Sequence, residues 1–309
     1  MDLSYSMQFA LYFDRLRFEK GLTQEEFVES IISLRQYRRY LNGTSNMPQD
    51  IIDSFSRRLG YRPHHVMLEF EGEKIQEGKR VENLYNLIVN LDFLKAEKFM
   101  QEHPIEQFVD QENIELYVHA VNNYSFLTKK INETEFIKKT LELLDYPQVL
   151  DRTSMRINEL IMLTSLIALN EFKDKERIAD KLLYYADHTH RIYSGRNEGV
   201  LTYVLVQTAK YFGINKKHHK VIETCNRALK FNFEMKLSYL SDFLYYFKAL
   251  SHYALGEIEE HEKCLFRLYA ALQADGSEAK FERFKRLVEG DWPISFHQFA
   301  KDYIDKKIK

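Results

Sequence analysis

GLTQEEFVESIISLRQYRRYLNG, residues 21–43, reads as two short helices joined by a tight turn. Gly21 stops a preceding helix over about 8–20. Thr23 is an N-cap, and Glu26 three residues later completes a capping box. That second helix runs to about Ser30. Ser33 caps a third helix, Leu34–Asn42, and Gly43 ends it. Pro48 opens a fourth helix that Gly60 terminates. Phe9, Leu16, Phe27, Ile31, Tyr37, Leu41, Ile52, Phe55 and Leu59 are spaced to form one small core.

With those caps and spacings, residues 8–68 resemble the Xre/Cro family of phage-repressor-type helix-turn-helix domains. The resemblance implies double-stranded DNA as partner, with the helix opened by Ser33 in the major groove. Carried over by position, Ser33, Leu34, Arg35 and Arg39 would face bases. Arg38 would make a phosphate or flanking contact. Gln24, at the start of the second helix, would sit near a phosphate, where free N–H groups and the helix dipole favour anions. Arginine suits the task because it donates two hydrogen bonds to guanine O6 and N7. Residues 35 and 39 are one turn apart and face the same way. Ile31 stands where the family's turn carries glycine, and Tyr37 and Tyr40 stand where it carries smaller aliphatics.

Outward from this domain, EGEKIQEGKRV at 71–81 is polar, charged and holds two glycines, so it is the linker candidate between domains 1–70 and 82–309. From residue 82 on, long amphipathic helices alternate with short breaks, and they repeat. Asn170, Gly213 and Gly256 recur 43 residues apart. After each come Ile178/Ala179, Val221/Ile222 and Cys264/Leu265, then Leu182, Cys225 and Leu268, then Tyr185/Ala186, Ala228/Leu229 and Ala271/Leu272. Before each anchor stand Ser165, Thr208 and Ser251, small enough for close helix crossing. A weaker copy is anchored at Thr128. Units of this kind bury their apolar faces only by stacking. The expected fold class is all-α: a five-helix Xre-type domain followed by an α-solenoid of degenerate tetratricopeptide-like repeats. Helices over 278–289 and 295–307 close its end, with Trp292-Pro293 breaking between them.

An Xre-type domain joined to such repeats resembles the RRNPP group of Gram-positive peptide-pheromone regulators. The resemblance implies a homodimer on paired half-sites and a short imported signalling peptide in the concave face of the repeats. It also implies that the peptide modulates DNA binding or promoter activity, as in quorum sensing. A stripe on the first helix of each unit supplies candidate peptide contacts: Asn122, Arg156, Tyr203, Gln207, Lys210, Asp242 and Tyr246, with Asn158 close by. Amides can pair with an extended backbone, tyrosines give broad apolar contact, and Arg or Lys can hold a carboxylate.

Composition bounds the alternatives. The 309 residues are 45% hydrophobic and 29% charged, enough for a sizeable core. Eleven glycines and 5 prolines leave little for β-hairpins. Lys and Arg number 44 against 46 Asp and Glu, so DNA contact must come from a local patch. Cys225 and Cys264 form no CxxC pair and read as reduced core residues of a cytoplasmic protein. The histidine pairs 64/65, 188/190 and 218/219 lack the i,i+3 or i,i+4 spacing of helical metal ligands, so no metal and no cofactor is expected. No run of apolar residues is long enough to span a membrane. No nucleophile elbow or phosphate-cradling loop is present, which counts against an enzyme with a regulatory DNA-binding domain. Repeats that bind a partner protein, such as an anti-repressor, are the other alternative.

Overall fold

The computed structural model describes residues 3–193 and 198–308. The chain divides into two compact units, residues 1–131 and 132–309. The first opens with α1 (Leu3–Glu19), α2 (Gln24–Val28), α3 (Leu34–Leu41) and α4 (Gln49–Arg58). The long α5 (Pro63–Val89) follows, then α6 (Phe93–Glu102) and α7 (Gln111–Leu127). An aromatic cluster organises the first five helices. The Phe27 ring stacks on Phe55 at 4.4 Å, and the Tyr37 ring meets Phe55 edge-on at 5.6 Å. Phe9, Phe13 and Phe70 extend it, all fully buried. Removing one such ring costs about 3–5 kcal/mol.

Two expectations need correction here. The first helix begins near Leu3, not at 8, so α1 carries one more turn and brings Tyr5 against Phe70. The 71–81 stretch is helical throughout, inside the 27-residue α5. Each glycine in a helix costs about 1 kcal/mol relative to Ala. The buried stripe Val66, Phe70, Val81, Leu84, Tyr85 and Ile88 outweighs that, at about 1.5–3 kcal/mol for each large side chain. The compact division correspondingly falls after Ile131.

The second unit holds α8 (Glu133–Leu144), α9 (Ile157–Ile167), α10 (Lys175–Asp187), α11 (Glu198–Ile214), α12 (His218–Glu234), α13 (Ser241–Ala254) and α14 (Ile258–Asp275). α15 (Glu278–Asp291) and α16 (Phe296–Ile308) close it. The 43-residue anchors lie at or beside the turns inside three helical hairpins: α9 with α10, α11 with α12, α13 with α14. Most predicted repeat positions lie in the core: Ile178, Leu182, Tyr185, Val221, Cys225, Ala228, Cys264, Leu268 and Leu272 are buried, whereas Ala186, Ile222, Leu229 and Ala271 are half-buried. Of the small residues before the anchors, Thr208 and Ser251 are buried and Ser165 is half-buried. α11 packs against both α9 and α13, so the first helices of the hairpins lie side by side. β1 (Met155–Arg156) and β2 (Ile192–Tyr193) form a short parallel bridge. Phe281, Phe284, Val288, Trp292 and Phe296 of the closing segment pack on Leu265, Leu268 and Leu272 of α14. Both cysteines are buried thiols. Among the described residues no helix is long and apolar enough to cross a membrane.

Candidate nucleic-acid interface

The turn before α3 sets the direction of everything that α3 presents. Thr23 Oγ1 accepts from Glu26 N, and Glu26 Oε2 accepts from Thr23 N, so the capping box is closed. α2 lasts only five residues. Its C-terminal carbonyls are held from outside: the Arg58 guanidinium donates to Glu26 O at 2.6 Å and to Glu29 O at 2.7 Å. Ser30 takes the left-handed conformation at φ 61, which reverses the chain. The residue doing glycine's work is therefore Ser30, not Ile31, whose side chain packs against the core instead. Ser33 Oγ accepts from Gln36 N and opens α3. Gly43, at φ 65, closes it, and a Cβ there would meet Met7 Sδ at 2.9 Å.

Tyr37 and Tyr40 face inward from α3, and Arg35, Arg38 and Arg39 face water. Among the described residues none of the three arginines makes an ion pair; Arg39 Nη1 lies 3.4 Å from Gln36 Oε1. Three arginines on one exposed face, none ion-paired among the described residues, are an electropositive ridge in a chain with no net basic charge. Leu34 is half-buried against the core, and Ser33 is exposed.

A network that the sequence reading missed fixes Gln24. Asp14 accepts from the Tyr37 hydroxyl at 2.9 Å, Arg17 Nε at 2.8 Å and Gln24 Nε2 at 3.3 Å. Burial opposes ionisation of Asp14, but these bonds hold its carboxyl below the usual range. Arg17 also donates to Leu22 O at 2.6 Å. Tyrosine at 37 is thus a core ring with a polar task, which an aliphatic residue lacks. The signal was present as Asp14 and Arg17 on one face of α1, three residues apart.

The candidate peptide contacts fall into three groups. Asn122 lies half-buried on α7, in the first unit. Tyr203 and Gln207 are half-buried on α11, and Lys210 is exposed one turn on. Arg156, Asn158, Asp242 and Tyr246 are engaged or buried within the second unit. Arg156 pairs with buried Glu159 at 2.9 Å, and Asn158 is buried. Asp242, 4% exposed, pairs with Lys280 at 2.9 Å, and the Tyr246 hydroxyl donates to Asp291. Residues of α15 thus hold Asp242 and Tyr246.

No protein-family model matches the chain, and no curated protein sequence matches it significantly. Solved structures do match. ComR from S. thermophilus, in complex with DNA and its signalling peptide ComS, has a TM-score of 0.55 at 14% identity, covering 91% of this chain and 99% of that chain. The apo form of Bacillus thuringiensis PlcR gives 0.55 at 14%, covering 85% and 96%. ComR from Streptococcus vestibularis, in complex with its cognate signalling peptide XIP, gives 0.52 at 13%, covering 92% and 99%. The shared property is the fold: an all-α chain of helix-turn-helix domain and helical repeats.

Proposed function

We propose that the protein is a sequence-specific DNA-binding transcriptional regulator whose repeats take a short signalling peptide. The observation that carries the reading is the α3 face: three arginines with no acidic partner among the described residues, on a helix locked by Ser33, Tyr37 and the aromatic core. In this reading Arg35 and Arg39 read bases, and Ser33 and Leu34 flank them. Arg38 and Gln24 hold phosphates. A homodimer would place two such helices about one DNA turn, roughly 34 Å, apart. The peptide-bound ComR complexes support the second half of the proposal. Tyr203, Gln207 and Lys210 on α11 would supply apolar, backbone and carboxylate contacts. Arg156 of β1, Asn158 of α9, and Asp242 and Tyr246 of α13 flank them.

Selection from random duplexes tests the first half. The expected outcome is a motif with two half-sites for the wild type and no enriched motif for Arg35→Ala/Arg39→Ala. An unenriched pool for the wild type, with its helical circular dichroism intact, rejects DNA reading by this helix. One observation favours a protein partner instead of a peptide. Phe233, in the last turn of α12, is 85% exposed, and Met235 and Tyr239 that follow it in the chain are exposed too. Under that alternative Phe233→Ser would abolish the complex, and Gln207→Ala would leave it intact.

A further inference from the structure

The helix that leaves the DNA-binding domain is fastened to α7 by a set of polar contacts that a passive tether does not need. Glu77 of α5 is 2% exposed. Its carboxylate accepts from Val109 N at 3.2 Å and Asp110 N at 3.1 Å, the two amides that lead into α7. A buried carboxylate is costly unless it is paired or hydrogen-bonded, so these bonds are the reason it can stay there. Asp110 in turn caps α7, accepting from Glu112 N at 3.0 Å and Asn113 N at 3.1 Å. Its other oxygen meets Lys74 Nζ at 3.3 Å. The same ammonium lies over the Tyr5 ring at 4.5 Å and the Phe70 ring at 4.6 Å, inside the helix-turn-helix core. One cation thereby touches α1, α5 and the cap of α7. In the first turn of α7 Asn113 Nδ2 donates to Lys74 O at 3.0 Å. A Cβ on Gly78 would meet Asn113 Oδ1 at 3.2 Å, so glycine there permits the close approach.

We infer that Lys74, Glu77 and Gly78 form a clasp that makes the reader domain, α5 and α7 one mechanical body, so that the reader is turned by displacement of α7 and not by bending at 71–81. The inference builds on the DNA-binding reading only for its consequence, the turning of a reader. The clasp itself is testable without DNA, so its failure and the failure of that reading are observed separately.

Hydrogen exchange by mass spectrometry on the full chain is the test. In the wild type the amides of 72–80 should exchange at least a hundredfold more slowly than in an unstructured peptide, despite two glycines and a polar sequence. Glu77→Gln and Lys74→Met should each speed exchange at 72–80 and at 109–113 together, by tenfold or more, and leave 34–41 unchanged. The clasp is overturned if wild-type 72–80 exchanges like free peptide. It is equally overturned if both variants loosen 109–113 while α5 keeps its protection. Should Glu77→Gln lose its helical circular dichroism, Lys74→Met carries the test. It removes a partly exposed charge and keeps the chain length.

Discussion

Single residues carry the chemistry of the proposed reader, and their roles separate by measurement. Arg35→Ala and Arg39→Ala should each cost about 1–3 kcal/mol on the preferred duplex and little on a scrambled one. Arg38→Ala should weaken both duplexes alike and lower the salt slope by about 1. The shared exposed face of Arg35 and Arg39 was legible in the sequence because a helix puts i and i+4 on one side. The Asp14–Tyr37–Gln24 bonds were not, because they join residues of α1, α2 and α3 that only the tertiary fold brings together. Strain is likewise local. Lys216 adopts φ 56, a conformation that costs an L-residue about 1–2 kcal/mol. Lys216→Gly should therefore raise the urea midpoint by an amount equivalent to about 0.5–1 kcal/mol, after glycine's own entropic cost. A lower midpoint would show that the position is not strained.

At the scale of elements, the caps decide where helices begin. Thr23→Ala opens the capping box and should destabilise the chain by about 1 kcal/mol, read from denaturant unfolding. Unchanged unfolding would mean that Arg58 alone holds α2. Caps and glycines were readable because they are local chemistry, and Thr23, Ser33, Gly43 and Gly60 mark their boundaries as expected. The left-handed turn at Ser30 was legible but passed over: a β-branched residue such as Ile31 resists positive φ, which leaves Ser30 as the better candidate. The 71–81 segment was misread because what decides it is not local. Its polarity and glycines are local signals, and the partners that make it helical, Val109, Asp110 and Asn113, lie more than thirty residues away. In the repeats, apolar spacing identified buried positions, but polar positions on the stripe split. Gln207 and Lys210 stay open, whereas Asp242 and Tyr246 are taken by α15, a helix outside the repeat pattern.

The whole molecule adds effects that no single helix shows. His119 on α7 is fully buried, its ring stacked with Tyr85 of α5 at 6.1 Å. Burial pushes its imidazole from 6.5 down to about 4. The unfolded chain then takes up a proton that the folded chain refuses. Stability is full above pH 6.5 and falls as pH drops toward 4, by about 1.4 kcal/mol per unit from this group. Wild type minus His119→Met, measured by urea unfolding across that window, should show this slope. A flat difference would place the imidazole in contact with water. The central claim remains that α3 reads DNA, and fluorescence anisotropy tests it most directly. Wild type and Arg35→Ala/Arg39→Ala would be titrated onto the duplex from the protein's own promoter region and onto its scramble, across salt concentrations. The account predicts steep salt dependence for the wild type, with the promoter duplex bound at least a hundredfold more tightly than the scramble. It predicts that the double variant binds both equally. Equal affinity of the wild type for the two duplexes, or a variant that keeps the preference, would contradict it.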